Sequence, residues 1–567
     1  MRKLTSLVLW FFFVLLGYLA SAQNTTVPRS VSCADNGMFC TEAYDSIGYG
    51  SKYTGHDEPS LLFYSNTPGS GNTMVYLMQL PTDPPQLPKQ DGTGGTFNFQ
   101  IHPTFWVGMA MCDDQSAPNP GGSKVAGPNI PCTPDSDSNI FDSATLSAPN
   151  YMGKHPGGAF MEMQFYPPGW APFIIGISCD PTRWCSALTI DSFSENENTG
   201  ADQNAACQAA ALGGIEYVNF AFITKSGVPV GPPSPLLFTD ATFTPSGDTL
   251  FYNSGDVLRI VLNDTAHGLK ITISDLTTGE SGSMTASANN GFAQILFDPK
   301  GKNCNPATHN LPYDFHPMYA TSSEHTRLQW TSHSYNIAFS DEIGHFEYCN
   351  AVDQNGNCTQ DGVHDLDNGL PAGAEDDFNC VDASASLLIP ISGCTFTDFD
   401  FDGVSYQLVW PGTSLGTDQQ FHPSSILFSS PLFTNSNTSA QQNYNRVAFE
   451  ANLPRIESNT NPPCQRHVSN PTDPNPGQGC VNPPVGANFY PFYSTRGGSS
   501  ACTWQLGGDN IPGTKNTFGG SSATEFGSTP LALVYPATGG LVQIIDEDFR
   551  QVLSTNPCPS SGAIAAH

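Results

Sequence analysis

The chain has few basic residues. Lys and Arg together number 20 against 51 Asp and Glu, which gives the 567-residue chain a formal net charge of −31 at pH 7. A surface of this sign repels a phosphate backbone, so we expect no nucleic-acid partner. Charged residues make up only 13% of the chain, and Gly (54) and Pro (47) are abundant. This composition is typical neither of a disordered polyelectrolyte nor of a helix-rich enzyme.

Long apolar runs are absent outside the N-terminus. The thirteen residues Leu7 to Leu19 are mostly apolar, follow Arg2 and Lys3, and precede Ala20-Ser21-Ala22. A basic start, a short apolar run and a small-residue cleavage site are typical of a secretory signal, and the run is too short for a stable transmembrane anchor. The sequence therefore predicts a signal peptide over residues 1–22 and a secreted, extracellular protein with no membrane anchor.

Several catalytic signatures are missing as well. The chain contains no GxSxG, no HExxH, no P-loop and no dinucleotide-binding fingerprint. Their absence weakens assignments as a serine hydrolase, a zinc protease of the HExxH type or a nucleotide-dependent enzyme. No repeat of fixed period stands out either, which argues against a solenoid or a propeller.

Cysteine, by contrast, is plentiful. All 16 cysteines lie beyond the signal. An even number in an exported chain predicts disulfides, up to eight of them, because an oxidising compartment lets them persist. Three pairs are close enough in sequence for short loops: Cys33/Cys40, Cys179/Cys185 and Cys349/Cys358.

Four Asn-x-Ser/Thr sequons also fit an exported protein. They lie at Asn24, Asn263, Asn357 and Asn437. Such sequons accept glycans when the host is a eukaryote, so the sequence is compatible with a glycoprotein.

Short alternating or apolar runs between Gly, Pro, Asp and Ser clusters predict strands and turns along most of the chain. The clearest stretch is residues 215–298, with five strand candidates and tight turns at DTAHG and TTGE. Close spacing favours consecutive antiparallel pairing. We therefore predict an all-β protein of antiparallel β-sandwich or jelly-roll-like domains that are disulfide-bonded.

The composition suggests a division into domains. After the signal peptide we predict an N-terminal β-sandwich region, an acidic cysteine-containing connector, and a C-terminal β-rich domain. The predicted bounds are 23–350 for the first, with possible sub-domains 23–190 and 215–350, then 351–403 and 404–567.

A calcium site is predicted in the connector. Asp398, Asp400 and Asp402 alternate before Gly403, which resembles the first half of a calcium loop with its hard oxygen ligands. Val409 occupies the twelfth position, where an EF-hand has its bidentate Glu, so this is not an EF-hand. An amphipathic strand with the aspartates facing solvent is the alternative.

The segment from His309 to Cys349 concentrates histidines, carboxylates and aromatic side chains. If residues 341–348 are extended, Asp341, His345 and Glu347 share one strand face. Carboxylates and an imidazole on one face are typical of general acid/base chemistry. We assign Glu347 as a candidate acid and Asp341 as a candidate base or nucleophile.

Geometry limits that pairing. Residues six apart in a strand are about 20 Å from end to end, so the two carboxylates can cooperate only if the chain turns near Gly344. A different carboxylate, such as Asp314 or Glu324, is the other possible partner. Glu324 therefore joins Asp341, His345 and Glu347 among the candidate catalytic residues.

Candidate substrate-binding residues come from the same segment and from one earlier turn: Trp330, Arg327, His333 and Trp170. Aromatic rings stack on sugars, but each of them is also a good core filler. His333 is equally compatible with an ordinary surface position.

Together these features favour a secreted, calcium-stabilised β-protein that acts on extracellular glycans or polysaccharides. The hydrolase hypothesis uses the carboxylates of residues 314–347. One alternative is a non-catalytic lectin or cell-surface adhesion protein, and another is a metal-dependent oxidative enzyme that uses the histidine cluster.

Overall fold

The computed structural model describes the chain in segments. They are residues 60–67, 69–80, 82, 105–113, 157–168, 179–180, 182–192, 195–196, 201–202, 218–296, 305–317, 326–334, 349–352, 358–361, 426–452, 456–457, 480–481, 493–496, 502–506, 531–537, 540–546, 548–553 and 555–558.

Strands dominate these segments. The helices within them are one turn of α-helix, Pro306–His309, and two 3-10 turns, Asp240–Phe243 and Ala288–Asn290. All the strands named below pair antiparallel. The predicted all-β class with antiparallel sheets is therefore confirmed.

One sheet has eight strands. In chain order they are β1 (Ser60–Ser65), β3 (Phe105–Asp113), β4 (Gly157–Tyr166), β5 (Cys185–Ser192), β8 (Val218–Phe222), β14 (Thr326–Ser334), β20 (Arg446–Asn452) and β27 (Asp548–Leu553). Across the sheet the order is β27-β20-β1-β14-β3-β4-β5-β8.

A second sheet has nine strands. They are β2 (Gly69–Gln79), β9 (Val257–Thr265), β10 (Gly268–Asp275), β11 (Ser281–Thr285), β17 (Leu427–Phe428), β18 (Leu432–Asn435), β19 (Gln441–Asn443), β23 (Tyr493–Arg496) and β24 (Thr503–Leu506). The main path is β11-β10-β9-β2-β17-β24-β23, and β18 pairs with both β2 and β19.

The remaining strands form two-stranded ladders. They are β6 (Glu195–Asn196) with β7 (Ala201–Asp202), β12 (Ala293–Ile295) with β13 (Asn310–Pro312), β15 (Cys349–Val352) with β16 (Cys358–Asp361), β21 (Ile456–Glu457) with β22 (Cys480–Val481), and β25 (Leu531–Ala537) with β26 (Gly540–Asp546).

Strands from both ends of the chain share the two large sheets. β1 pairs with β20, and β2 pairs with β17 and β18. The predicted boundary between residues 403 and 404 therefore does not separate these sheets. Composition changes along the chain, but hydrogen bonding joins strands that are far apart in sequence.

The consecutive strands β9, β10 and β11 follow the predicted period of two. In β9, Leu258, Ile260 and Leu262 are fully buried, and the residues between them are partly exposed. Alternate side chains of a strand point to opposite faces, so this pattern directs one face of β9 into the core. Burying each such side chain contributes about 1.5–3 kcal/mol.

The turn between β9 and β10 requires glycine at position 268. Gly268 has φ +97°, and a Cβ atom there would lie 2.3 Å from the backbone oxygen of Ala286. An L side chain is strained at this φ and has no room. The predicted turn at DTAHG is thus fixed by backbone geometry.

The main hydrophobic core contains side chains of both large sheets. Tyr76 of β2 stacks on Trp330 of β14 at 5.2 Å between ring centroids, and Phe63 of β1 meets Trp504 of β24 edge-on at 5.8 Å. Aromatic pairs at such distances add to the stabilisation from buried area. One face of each sheet therefore lies against the other at these contacts.

Two disulfides join described residues: Cys179–Cys185 and Cys502–Cys558. The first was one of the three short loops suggested by spacing. The second spans 56 residues and so restricts the unfolded chain more, by roughly 4 kcal/mol in the chain-entropy model.

A buried hydroxyl anchors the long disulfide to the core. Trp504 donates from Nε1 to Ser430 Oγ at 2.9 Å, and Ser430 Oγ donates to the backbone oxygen of Cys558 at 2.5 Å. Asn556 adds a donor to the same Oγ at 3.2 Å. Ser430 is therefore satisfied although it is fully buried.

Candidate functional site

Strand β4 carries polar residues on the face that points away from the main core. Met161, Met163 and Phe165 lie in that core. By the period of two, Glu162, Gln164 and Tyr166 lie on the opposite side, which we call the outer face of the eight-stranded sheet.

These three side chains form one hydrogen-bonded chain. Tyr166 donates from its hydroxyl to Oε1 of Gln164, and Gln164 donates from Nε2 to Oε2 of Glu162 at 2.5 Å. Gln164 and Tyr166 are buried, whereas Glu162 is partly buried. This series of hydrogen bonds ends on the Glu162 carboxyl, which is the only one of the three side chains that titrates near neutral pH.

Burial raises the pKa of Glu162 from 4.5 to about 7, and the hydrogen bond from Gln164 opposes that rise. Removing a carboxylate from water disfavours its charged form, whereas a donor stabilises it. The effect of desolvation on the Glu162 pKa is larger than that of the hydrogen bond. A carboxyl with a pKa near the working pH can both hold and release a proton, as a general acid must.

The strand on one side of Glu162 presents a glycine. Gly108 of β3 is its register partner, and a Cβ atom at position 108 would lie 2.7 Å from the ring of Phe160. Phe160 therefore packs directly on the backbone of β3 and meets Trp106 edge-on at 5.8 Å. These apolar rings belong to the outer face that also carries Glu162.

The strand on the other side supplies a second carboxyl residue to the same face. Leu188 and Ile190 of β5 point into the main core, so Thr189 and Asp191 lie on the outer face. Thr189 is the register partner of Glu162, and Asp191 is that of Phe160. Asp191 is thus the diagonal neighbour of Glu162, about 7–8 Å away between backbones.

Strand β14 divides the predicted substrate-binding residues between its two faces. Trp330 lies in the main core, is fully buried and stacks on Tyr76, so no sugar ring can reach it there. Arg327 and His333 occupy the opposite, outer face. His333 is the register partner of Trp106, which in turn pairs with Gln164.

The other predicted site residues lie outside the described residues. They are Trp170, Glu324, Asp341, His345 and Glu347 of the candidate active site, and Asp398, Asp400 and Asp402 of the candidate calcium site.

Two residues of the central segment, Asp314 and His316, lie elsewhere, beside the β9–β10 turn. His316 is nearly buried, and its Nδ1 lies 2.8 Å from Oδ1 of Asp264. His267 Nδ1 lies 4.0 Å from Oδ2 of Asp314, whose Oδ1 accepts a hydrogen bond from the backbone N–H of Ala288 at 2.7 Å. The His316 imidazole is therefore oriented by a carboxylate, whereas His267 is exposed and too far from Asp314 for a hydrogen bond.

This cluster is not arranged as a metal centre. Among the described residues, no group of three or more His, Cys, Asp or Glu side chains could hold a metal ion. The His316 imidazole is bonded to one carboxylate, Asp264, which is the usual arrangement of a structural or positioning hydrogen bond.

Sequence reasoning passed over Glu162. The signal was present in the run AFMEMQFY, where a single carboxylate interrupts an apolar strand. Charged side chains are rarely buried without a partner, so an acid in such a run is itself informative.

No family model matches the sequence, and no curated protein matches it. In the described part of the chain, no helix is long and apolar enough to cross a membrane.

Proposed function

We propose that the protein is exported and acts on extracellular glycans as a hydrolase, with Glu162 as general acid and Asp191 as base or nucleophile. The observation that carries this proposal is a carboxyl with a pKa of about 7 beside a second carboxyl residue on the same sheet face. Glycoside hydrolysis uses two carboxyl groups, one as general acid and one as base or nucleophile.

Each carboxyl has a separate task. The protonated Glu162 transfers its proton to the glycosidic oxygen as the bond to the sugar breaks. Asp191, acting as a carboxylate, would either attack the sugar carbon or take a proton from the attacking water. A separation of about 5–5.5 Å between the two carboxyl groups is typical of direct attack on the sugar, and one of about 6.5–9.5 Å is typical of attack by water. A diagonal strand pair is compatible with either.

Residues of β14 would extend the surface that contacts substrate. Arg327, Thr331 and His333 lie on the outer face of β14, the second strand from β4 in the sheet order. Their side chains are of the kinds that bond sugar hydroxyls. This keeps two of the predicted substrate-binding residues, Arg327 and His333, on the proposed site.

The architecture we propose is a β-sandwich of the jelly-roll kind. It is supported by the two large antiparallel sheets, which contribute side chains to one core. The proposed site lies on the outer face of the eight-stranded sheet, where Glu162 is partly exposed and its neighbours Gln164 and Tyr166 are buried.

We also propose that calcium binds Asp398, Asp400 and Asp402 and stabilises the protein. The support is the spacing of three carboxylates before Gly403 in an acidic segment. Chelation should then lower the melting temperature, and Asp400→Ala should abolish that sensitivity.

The deciding experiment screens the secreted protein against a panel of polysaccharides for new reducing ends and for binding. Glu162→Gln and Asp191→Asn should each lower turnover by orders of magnitude with little effect on glycan binding. Glu280→Gln is the matched control, because Glu280 is exposed and pairs only with Lys225 on the surface.

Other outcomes identify the alternatives. Full activity in Glu162→Gln on a substrate that the wild type cleaves removes Glu162 from the mechanism, and Glu347→Gln and Asp341→Asn then test the central segment. Glycan binding without any turnover indicates a lectin. A stoichiometric transition metal in the purified protein indicates the oxidative enzyme.

A further inference from the structure

Two of the four sequons lie in described parts of the chain, and they occupy different environments. Asn437 is in the turn between β18 and β19, and Asn263 is in the middle of the nine-stranded sheet. N-glycans are bulky and are carried on surface loops. The two sites are therefore not equivalent acceptors.

The turn at Asn437 protrudes into solvent. Residues 436–440 are all exposed. Asn437 is preceded by four-residue β18 and followed by three-residue β19, and Ser439, the hydroxyl residue of its sequon, has a positive φ of 56°. A tight hairpin tip of this kind leaves the Asn side chain without strand neighbours on either side.

Asn435, and not Asn437, holds the turn together. Asn435 accepts at Oδ1 from the backbone N–H of Asn437 at 2.8 Å and donates from Nδ2 to Gln442 at 3.1 Å. Its backbone oxygen accepts from the N–H of Ser439 at 2.8 Å. Within the described residues the Asn437 carboxamide makes no hydrogen bond, so modifying it removes none.

The sequon at Asn263 is engaged in the sheet. Asn263 lies between Thr73 of β2 and Lys270 of β10, and its Oδ1 accepts from the Thr73 hydroxyl at 2.9 Å. The hydroxyl of Thr265, the third residue of this sequon, donates to the backbone oxygen of Gly268 at 2.7 Å. Asn263 is exposed, but its side chain bonds to β2, and the Thr265 side chain bonds within the β9–β10 turn, so both side chains of this sequon are engaged in the sheet.

We propose that Asn437 is an N-glycosylation site and that Asn263 remains unmodified. In the reaction, Nδ2 of Asn437 forms a bond to the anomeric carbon of a lipid-linked oligosaccharyl diphosphate. The bond from that carbon to the diphosphate breaks, Nδ2 loses one proton, and the lipid diphosphate leaves. Nothing is oxidised or reduced. The proposal rests on the predicted export and is independent of the proposed hydrolase activity.

The test uses the full-length protein secreted from a eukaryotic expression host. Peptide-N-glycosidase treatment in heavy-oxygen water converts each glycosylated Asn to a labelled Asp, and peptide mass spectrometry then gives the occupancy of each site. Most copies should be labelled at Asn437 and almost none at Asn263. Asn437→Gln and Ser439→Ala should each remove one glycan from the intact mass, whereas Asn263→Gln should leave it unchanged.

Melting curves supply the structural control. Asn437→Gln should melt like the deglycosylated wild type, because no hydrogen bond of the turn is lost. A bare Asn437 in the secreted, folded protein overturns the proposal, and so does a glycan on Asn263 in the same sample.

Discussion

Gln164 donates a hydrogen bond of 2.5 Å from its Nε2 to Oε2 of Glu162, two residues earlier on the same face of β4. This bond lowers the pKa of Glu162, but burial raises it by more, so that the net pKa is about 7. Because this pKa is near neutral, the protonation of Glu162 can be followed through the free energy of unfolding, the pH dependence of kcat and infrared titration.

The first prediction concerns stability and pH. The Glu162 carboxyl has a pKa of 4.5 as its ordinary value and about 7 in the fold, so the folded state binds its proton more tightly. This contribution is fully present below pH 4.5 and is lost as the pH rises through 7. Relative to Glu162→Gln, the wild type should therefore lose about 2–3 kcal/mol of unfolding free energy between pH 4.5 and 8.

Urea unfolding at several pH values measures this difference. Glu280→Gln, at an exposed position, should follow the wild type across the range. Parallel curves for the wild type and Glu162→Gln would show that the Glu162 carboxyl does not change its proton affinity on folding.

The second prediction concerns Gln164. Gln164→Leu removes the donor that stabilises the ionised carboxylate, so the pKa of Glu162 should rise further. An acid that must be protonated then works up to a higher pH, and the alkaline limb of the kcat profile should move upward. Infrared titration of the carboxyl stretch, with Glu162→Gln as the blank, reads the same shift without activity.

Tyr166→Phe is the control for Gln164→Leu. It removes the hydroxyl that donates to Gln164 but leaves the bond from Gln164 to Glu162 in place, so its effect on the titration should be smaller. An equal or larger shift of the Glu162 pKa in Tyr166→Phe would contradict the role assigned to the Gln164 donor.

The third prediction concerns two buried carboxyl groups at the end of the β9–β10 ladder. Burial raises the pKa of Asp256, with Asp275 adding its charge and a hydrogen bond in the same direction. The folded state therefore favours a protonated Asp256. Its contribution to stability is present below the ordinary pKa of 3.8 and is lost as the pH rises through the higher value in the fold.

Asp256→Asn should remove this pH dependence, because an amide donates towards Asp275 at every pH. Its free energy of unfolding should match the wild type in acid and exceed it at neutral pH. Thermal melting from acid to neutral pH checks this, with Asp240→Asn at an exposed position as control. A constant difference between Asp256→Asn and the wild type at all pH values would contradict the raised pKa of Asp256.

The fourth prediction compares two glycines. Gly268→Ala places a methyl group against the Ala286 carbonyl at a positive φ and should cost about 2–4 kcal/mol. Gly247→Ala meets nothing within 4 Å and should change stability by less than about 1 kcal/mol in either direction. Urea unfolding measures the free energy of unfolding of both variants. Equal values for Gly268→Ala and Gly247→Ala would show that the β9–β10 turn tolerates a side chain.

Local sequence patterns predicted much of the fold. The alternation of Leu258, Ile260 and Leu262 with less buried neighbours identified β9, DTAHG identified the turn from β9 to β10, and TTGE identified the turn from β10 to β11. The spacing of Cys179 and Cys185 suggested a bond that the structure contains. Each of these features depends on residues within a few positions of one another, so a local rule is sufficient.

The candidate site was less accessible to such rules. The segment around His309–Cys349 was selected because titratable residues crowd together in sequence, yet its described members divide between locations. Trp330 lies in the main core, whereas Asp314 and His316 lie beside the β9–β10 turn. Crowding along the chain does not establish convergence in space, because adjacent strand residues point in opposite directions.

The sequence by itself therefore determined the all-β class, the strands with a period of two and the turns that require glycine. The tertiary structure decided that β1 pairs with β20, which lies far away in sequence (Ser60 opposite Glu450), and that the acid at position 162 lies between β3 and β5. Its raised pKa comes from desolvation by neighbouring strands. Desolvation depends on which residues surround a group in space, and a period of two carries no information about strand partners or about which face is covered.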